Sequence, residues 1–263
     1  MMRASSLASG SQGNSYVVET EDGLILVDLG ISFRDLVCRL SYLKASPLKL
    51  KALFITHEHL DHIRGVVQFL KHTSCPLYIT KKTMERARLD EKKWSDRIHL
   101  IEREDVVEFG STVVQALPKC HDAAEPLFFN LFHRGCQATV LTDTGVPDAA
   151  MAVSISRADL LFLESNHDVE MLKRGPYPEH LKKRILSPYG HLSNQQASSL
   201  VAMNASERLR WLFLSHISEH NNTPETALLT LENALSERTP LKELKRVLTT
   251  PQAPTPWAEV APL

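Results

Sequence analysis

The chain has 263 residues, enough for one large domain or two small ones and ample for burying a core. Its composition of 43% apolar and 23% charged residues is that of a globular protein, which excludes a disordered or membrane-spanning chain. The formal net charge of −1 excludes a strong overall positive field, so attraction to nucleic acid or to an anionic membrane would have to be local.

The first half of the chain is predicted to consist mainly of short strands. Apolar and alternating runs predict strands in SSLAS, SYVVET and LILVDLG, and the first two flank a Gly/Ser-rich loop from Ser9 to Asn14. Two structures are open for this loop, a plain turn and a nest of backbone N–H groups that binds an anion. A helix is predicted after Ser32, a suitable N-cap, and the strand KALFITH and the helical stretch HIRGVVQFLKHT follow it.

Strands and helices alternate in the second half. The pattern predicts a strand at PLYIT, a charged helix around residues 81–93, a hairpin in VVEFGSTVVQALP and a strand pair in LFFNLFHRGCQATVLTDTG. Two further buried strands, ADLLFLE and RWLFLS, accompany helices in SNQQASSLVAMN and TPETALLTLENALSE. From Thr249 the chain holds four prolines and little periodicity, so we expect it to be flexible or to lie over the surface. One α/β domain over residues 1–250, followed by a Pro-rich tail over 251–263, is the simplest architecture.

Four of the predicted strands lead to an ionisable residue. His57 follows KALFIT, Asp143 follows ATVLT, His167 follows ADLLFLE after two residues, and His216 follows RWLFLS. In layered α/β folds, ligand sites gather at the carboxyl ends of strands and in the loops beyond them. We therefore expect these four residues to meet at one place.

An ionisable cluster begins at the end of KALFIT, and it consists of His57, His59, Asp61 and His62. In an extended segment residues i and i+2 point the same way, so His57 and His59 can bind one cation together. Asp61 and His62 fall in the next turn and can face a second point. Imidazoles with a carboxylate suit Zn²⁺, Mn²⁺ or Fe²⁺. Because one ion needs about three protein ligands and this segment alone offers more, the cluster indicates two divalent ions.

The string THEHLDH resembles the signature of the metallo-β-lactamase-fold hydrolases. Further positions of that family's pattern occur in order, and they are Asp28 in LILVDLG, His121 in LPKCHDA, Asp143 in LTDTG and His216 in FLSHIS. The resemblance implies a single-domain, four-layer αββα sandwich of the metallo-β-lactamase type, in which Asp28 braces the metal loop.

The same resemblance implies a ligand set for each of two ions. The first ion takes His57, His59, His121 and Asp143. The second ion takes Asp61, His62, Asp143 and His216. Two ions that share a carboxylate also share a water, whose pKa they lower, so a metal-bridging hydroxide is expected as the nucleophile near neutral pH. Asp61 could accept a hydrogen bond from that hydroxide and orient it.

Particular residues disfavour several branches of the family. β-Lactamases commonly have arginine after the signature aspartate and cysteine at the bridging position, where this chain has His62 and Asp143. The flavodiiron branch has glutamate at the position of His59. Nucleases with an inserted domain need a long insertion before the last histidine, and the 72 residues between Asp143 and His216 are too few.

Four strings jointly resemble the YycJ/WalJ group of this family, and they are SLASGSQGNSYVV, LESNHD, YGHLSN and LSHISEHN. This resemblance implies a metal-dependent phosphodiesterase that acts as an exonuclease on double-stranded DNA. A small-molecule phosphodiester or ester is the alternative substrate, the latter for a thioesterase or lactonase of the same fold. A non-catalytic metal-binding regulator is the alternative from another class.

Two further histidines are catalytic candidates beside Asp61. His191 precedes a predicted helix start, where Ser193 and Gln196 form a capping-box pattern. It could contact a phosphate, protonate the leaving oxygen, or only pack beside the cap. His167 could support a ligand, contact the substrate or bind a metal itself.

A basic segment lies between these two histidines, and its cations are Lys173, Arg174, Lys182, Lys183 and Arg184. A nuclease needs local positive charge toward the phosphate backbone. The segment could supply that charge or could form an ordinary solvated face.

Cysteine usage and the absence of an apolar leader suggest the compartment. The cysteines, which are Cys38, Cys75, Cys120 and Cys136, show no CxxC pair or regular spacing, so reduced thiols are expected rather than a disulfide framework. The amino terminus lacks an apolar segment of signal-peptide length, and no window approaches the roughly 20 apolar residues of a membrane span. We therefore predict a soluble cytoplasmic protein with no membrane partner.

Overall fold

Two β-sheets pack face to face, and helices cover the outer side of each. The structure, a computed structural model, describes residues 1–236, 241 and 243–262. Its strands are β1 (Met2–Ala8), β2 (Ser15–Thr20), β3 (Gly23–Val27), β4 (Leu50–Phe54), β5 (Leu77–Ile79), β6 (Ile98–Leu100), β7 (Val106–Phe109), β8 (Thr112–Pro118), β9 (Leu127–His133), β10 (Cys136–Leu141), β11 (Leu160–Glu164), β12 (Trp211–Ser215), β13 (Lys245–Leu248) and β14 (Ala258–Val260). Its helices are α1 (Phe33–Tyr42), α2 (Leu60–Ile63), α3 (Val66–His72), α4 (Lys81–Arg86), α5 (Ala149–Arg157), α6 (Val169–Arg174), α7 (Glu179–Ile185), α8 (Asn194–Asn204) and α9 (Pro224–Leu235).

The two sheets have seven strands each and share one plan. The order in the first sheet is β14-β1-β2-β3-β4-β5-β6, and pairing is parallel from β3 to β6. The order in the second sheet is β13-β12-β11-β10-β9-β8-β7, and pairing is parallel from β10 to β13. Because parallel strands end at the same edge of a sheet, the loops after β4, β10, β11 and β12 are available to build one site.

The space between the sheets is filled by apolar and aromatic side chains. The ring of Phe54 in the first sheet lies 5.3 Å, centroid to centroid, from that of Phe129 in the second. Phe162 and Phe213 stack at 4.1 Å within the second sheet. Burying each such side chain contributes roughly 1.5–3 kcal/mol, which keeps the strand ends in fixed positions. Further apolar clusters attach α1 and α3 to the first sheet and α5, α8 and α9 to the second. The predicted four-layer αββα sandwich is confirmed.

Local sequence signals place several elements correctly. The hydroxyl of Ser32 caps α1 by accepting a hydrogen bond from the N–H of Asp35 at 3.0 Å. The predicted capping box at the start of α8 is formed by Ser193 and Gln196. The hairpin in VVEFGSTVVQALP is the antiparallel pair β7 and β8.

Two helix predictions need correction. The charged helix predicted around 81–93 ends as α4 at Arg86, and Arg88 has a φ of 54°, which an α-helix cannot contain. The stretch HIRGVVQFLKHT is divided between α2 and α3 at Gly65. The backbone of Ile31 passes so close to this glycine that a Cβ there would lie 2.3 Å from its carbonyl oxygen.

The Pro-rich end of the chain is partly built into the first sheet. Residues of β14 pair with β1, and Met2 lies opposite Val260. The indole N–H of Trp257 donates to the carbonyl of Leu43 at 2.9 Å, and Thr255 is buried. The expectation of a flexible or overlying segment is therefore wrong for Ala258–Val260. The division into a domain over 1–250 and a tail over 251–263 stays a prediction.

Within the described part of the chain, no helix is long and apolar enough to cross a membrane.

Candidate metal centre

Three strand ends turn inward through an unusual backbone conformation. Asp28 after β3, Asp143 after β10 and His216 after β12 have φ values of 62°, 57° and 52°. A left-handed conformation costs a non-glycine residue about 1–3 kcal/mol and persists where surrounding contacts fix it. The N–H of Asp28 donates to Phe54 O at 2.8 Å, and that of His216 donates to Ser9 Oγ at 2.8 Å. These turns point the side chains into the space between the sheet edges.

Asp28 sets the hydrogen-bonding state of two histidines. It accepts from His62 Nδ1 at 2.7 Å, so Nδ1 carries a proton and Nε2 is the ring atom left to face a cation. Burial lowers the pKa of this ring, but Asp143 and Asp28 outweigh burial and raise it well above its usual value, so a cation at Nε2 would displace a proton. Asp28 also accepts from the Thr56 hydroxyl at 2.8 Å. Thr56 Oγ1 can then accept from His57 Nδ1, which lies 2.8 Å away, and this leaves the Nε2 lone pair of His57 free. The brace that the resemblance implied for Asp28 is therefore visible in its contacts.

The first ligand group contains His57, His59 and His121, whose nearest ring nitrogens all lie within 4.8 Å of one another. His57 Nε2 is 3.1 Å from His59 Nδ1. His121 Nδ1 lies 3.1 Å from the carbonyl of Gly190, and its buried Nε2 has no hydrogen-bond partner among the described residues. Burial lowers the pKa of His57 well below its usual value and that of His121 to about 3. Both imidazoles are therefore neutral and able to bind a cation.

The second ligand group contains Asp143, Glu164, His191 and His216, whose ligand atoms also lie within 4.8 Å of one another. His216 Nδ1 is 2.8 Å from Asp143 Oδ1 and 3.3 Å from Glu164 Oε1. His191 Nδ1 is 2.6 Å from Glu164 Oε1.

Asp143 connects the two groups. It also forms a group with His57 and His62, and its Oδ2 lies 3.3 Å from His62 Nε2. That Oδ2 is buried without a hydrogen-bond partner in the described structure. A buried carboxylate oxygen in this state fits a cation as its partner. The donor chemistry and these unpartnered atoms show a His/Asp cluster that could hold divalent metal ions.

The structure arranges the predicted ligands differently from the implied sets in two respects. His57, His59 and His121 come together as implied, but Asp143 groups with His57 and His62 rather than with those three. Asp61 lies outside all three groups. Its Oδ2 is 3.4 Å from His62 Nε2 and 3.8 Å from His216 Nε2, so it faces the second group from the side.

Sequence reasoning missed two acidic residues at this site. Glu164 is fully buried as the last residue of β11, and it accepts from the N–H groups of Thr144 and Leu192, each at 3.1 Å. Burial raises the pKa of its carboxyl group, but His191 and His216 outweigh this and lower it to about 2. The signal was present, since Glu164 ends the apolar run ADLLFLE. Asp122 lies 3.3 Å from His121 Nε2 and pairs with Arg184.

A buried lysine lies beside these carboxylates. Lys119 donates its Nζ to the carbonyl of Thr142 at 2.5 Å. Burial lowers the pKa of its ammonium group, while Asp143 and Asp28 act in the opposite direction. Its charge offsets part of the negative charge that the carboxylates place in this site.

The side chain of His167, a predicted catalytic residue, joins none of the ligand groups found among the described residues. It is buried, and neither of its ring nitrogens has a hydrogen-bond partner in the described part of the chain. Burial lowers its pKa to about 4, so the ring is neutral at pH 7. Its backbone forms a bridge with Ser193, just before α8.

The predicted basic segment is largely paired with its own carboxylates. Glu170 lies 3.0 Å from Lys173 and 3.7 Å from Arg174, and Glu179 lies 3.2 Å from Lys182. The two pairs of Glu170 are exposed and contribute little stability. They nevertheless reduce the local positive field that a DNA backbone would meet.

Comparison with known proteins places the chain among metal-dependent hydrolases. Residues 8–121 match the family described as the metallo-beta-lactamase superfamily. The chain is 37% identical over 234 residues to exodeoxyribonuclease WalJ of Streptococcus pneumoniae, which covers 88% of this chain and 87% of that protein. It is 34% identical over 233 residues to exodeoxyribonuclease YycJ of Bacillus anthracis, with 88% of each chain covered. The solved structure of the metallo-beta-lactamase fold protein YhfI from Bacillus subtilis aligns with a TM-score of 0.70 at 14% identity, over 97% of this chain and 98% of that one, which shows the fold alone.

Proposed function

The chain belongs to the metallo-β-lactamase superfamily and, within it, to the group of WalJ and YycJ, and from this premise we propose that it is an exonuclease on double-stranded DNA. The observation that carries the proposal is the ligand cluster around Asp143, in a chain that matches exodeoxyribonucleases over 88% of its length. The small net charge suits a narrow contact at a DNA end better than a broad non-specific footprint.

We propose that two divalent ions bind here, with zinc or manganese as the first candidates and iron as a third. His57, His59 and His121 would hold one ion. Asp61, His62 and His216 would hold the other, and Asp143 would be shared. When bound, two such ions lower the pKa of a water between them and stabilise negative charge on a phosphate.

The chain's own residues orient the reactants. The Asp61 carboxylate would accept a hydrogen bond from the attacking water. Burial raises the pKa of this group, but His62 and His216 outweigh burial and lower the pKa to about 2, so it is ionised and acts as an acceptor. Asp61 therefore positions the water and fixes the direction of attack.

His191 is proposed as the group that protonates the leaving oxygen. Its Nδ1 donates to Glu164 Oε1 at 2.6 Å, so the carboxylate fixes the orientation of the ring. His167 is proposed as a substrate contact, a role that its two unpartnered ring nitrogens support.

We place the protein in the cytoplasm, where a DNA substrate is available. Cys38, Cys75, Cys120 and Cys136 are all free thiols, which suits a reducing compartment.

The test is an end-labelled duplex DNA assay with metal-stripped protein that has been reconstituted separately with Mn²⁺ and with Zn²⁺. We expect progressive release of labelled nucleotides with at least one of the two ions, and none without metal. A thioester and a lactone are assayed in parallel. The proposal is wrong if neither metal form cuts DNA while a small ester is turned over efficiently. Metal binding without turnover of any of these substrates would favour a regulator.

A further inference from the structure

The Gly/Ser-rich loop at residues 9–14 contacts both sides of the second ligand site. It connects β1 to β2, and it touches Asp61, which follows β4, and His216, which follows β12. We infer that Ser9 and Asn14 are positioning residues that hold Asp61 and His216 for the second ion. This inference rests on the proposed two-ion site.

Asn14 has its amide group fixed in one orientation. Its Oδ1 accepts from the N–H of Gly10 at 2.9 Å, so its amino group must face the other way. The Nδ2 atom lies 3.1 Å from Gly10 O, 3.1 Å from Asp61 Oδ2 and 3.2 Å from His62 Nε2. Its two hydrogens are used by the two oxygens, so neither is needed for a hydrogen bond to His62 Nε2, the nitrogen that lies 3.3 Å from Asp143 Oδ2.

The backbone of Asn14 holds Asp61 as well. The N–H of Asn14 donates to the carbonyl of Asp61 at 2.7 Å, and its own carbonyl accepts from Gly30 at 2.8 Å. The chains approach so closely that a Cβ on Gly30 would lie 1.6 Å from Asp61 O. Asp61 therefore has its main chain and its Oδ2, the oxygen that faces His62 and His216, held by the same residue.

Ser9 holds His216 from the opposite side. Its hydroxyl accepts from the N–H of His216 at 2.8 Å, at the residue whose φ is 52°. The same hydroxyl is 2.8 Å from the Tyr16 hydroxyl and 3.3 Å from Asn14 Oδ1, and all of these side chains are buried. The hydrogen bond supports the strained turn that directs His216 toward Asp143.

The sequence left two structures open for this loop, a plain turn and an anion-binding nest of N–H groups, and neither describes it fully. Its N–H groups at Ser9, Gly10, Gly13 and Asn14 donate to Thr250 O, Asn14 Oδ1, Gly10 O and Asp61 O. These donors are used within the protein, which argues against an anion nest. A plain turn would not contact ligands from both sheets.

The test is the affinity for each of two ions, measured by titrating metal-stripped protein with Zn²⁺ against a fluorescent chelator. Removing a residue that supports a metal ligand typically lowers metal affinity about 10- to 100-fold. We expect Asn14→Ala to lower the affinity for one of the two ions by this factor and the affinity for the other by less than about threefold. Ser15→Ala is the matched control, because it removes a neighbouring buried hydroxyl that has no hydrogen-bond partner in the described structure. It should bind both ions as the wild type does.

Ser9→Ala and Ser9→Thr give a second and independent check. Ser9→Ala should weaken the same ion, and Ser9→Thr, which keeps the hydroxyl, should restore much of the affinity. Thermal unfolding of each variant shows whether it is folded. The inference is overturned if folded Asn14→Ala and Ser9→Ala bind both ions normally, lose both equally, or match Ser15→Ala.

The outcomes separate this inference from the proposed function. Protein that binds two ions but does not cut DNA would contradict the proposed substrate and leave the role of Ser9 and Asn14 intact. Wild-type protein that binds one ion would contradict the two-ion site. In that case the role of Asn14 would still stand if Asn14→Ala lowers the affinity for the single ion and Ser15→Ala does not. It would fail if the two variants bind that ion equally well.

Discussion

Asp143 is the residue on which the ligand groups converge. One of its carboxylate oxygens lies 2.8 Å from His216, and the other lies 3.3 Å from His62. Its pKa is held well below the usual range because, although burial raises it, His216 and His62 act more strongly in the opposite direction. A carboxylate that is ionised in the absence of metal is ready to share two cations.

We expect Asp143→Ala to lower DNA cleavage by at least about 100-fold, because each of the two proposed ions would lose a ligand. Bound metal should fall from two ions per chain to one or none in elemental analysis. Circular dichroism should show that the variant is folded. Asp96→Ala, at an exposed carboxylate, is the control and should change nothing. Full activity in Asp143→Ala would contradict the proposed ligand role.

The pH dependence of the metal-stripped protein tests the charges in the second group. Burial lowers the pKa of His216, but Asp143 and Glu164 outweigh this and raise it to about 10. A raised pKa gives stability that is complete below the unfolded value of 6.5 and is lost as pH rises toward 10. We expect the melting temperature of the stripped protein to fall between pH 6.5 and 9.

The metal-loaded protein is the comparison for this pH dependence. Bound ions need neutral imidazole, so the loaded protein should not lose stability over the same pH range. On the acid side, burial holds the pKa values of His57 and His121 below the usual 6.5, so the unfolded chain binds protons that the folded chain does not. The free energy of unfolding of the stripped protein therefore decreases as pH falls below 6.5. A stripped protein whose melting temperature rises steadily from pH 6.5 to 9 would show that the Asp143–His216 pair is not formed.

At the scale of elements, β14 shows how a distant segment completes a sheet. The Thr255 N–H donates to Ser6 O at 2.9 Å, and its Oγ1 accepts from the N–H of Ser6 at 3.1 Å. Arg3 lies over the ring of Trp257 at 4.5 Å. These contacts cover β1, whose far end leads into the loop with Ser9.

Deletion of residues 251–263 should therefore lower the free energy of unfolding by at least about 3 kcal/mol, since it removes buried side chains and backbone hydrogen bonds together. Urea denaturation of the truncated protein measures this loss. Gln252→Ala, at an exposed position, is the control and should have little effect. An unchanged unfolding midpoint would support the predicted domain over residues 1–250 as an independent unit.

The elements also show where local sequence patterns stop being informative. The charge and periodicity after Lys81 favour a long helix, yet α4 ends at Arg86 because the following residues turn back to form β6. At Gly65 the helical pattern is interrupted, because its N–H donates to Leu29 O at 2.9 Å while Asp61 O accepts from Asn14. Both outcomes depend on tertiary packing, which a short window does not contain.

At the scale of the whole molecule, the placement of ionisable residues at strand ends predicted where the site would form. Such a rule works because parallel strands bring their carboxyl ends to one edge. It could not predict that Glu164 faces His191, or that Asn14 reaches Asp61 across 47 positions, because those contacts depend on how separate loops meet. In the same way, the sequence shows that the segment is basic, but it does not show that its lysines pair with Glu170 and Glu179.

The most direct test of the central claim is anomalous diffraction from crystals grown with Mn²⁺ or Zn²⁺, collected at the absorption edge of the metal. We predict two peaks on opposite sides of the Asp143 carboxylate, one of them among His57, His59 and His121. A map without a peak in this pocket, with the histidine rings turned away from one another, would contradict the account.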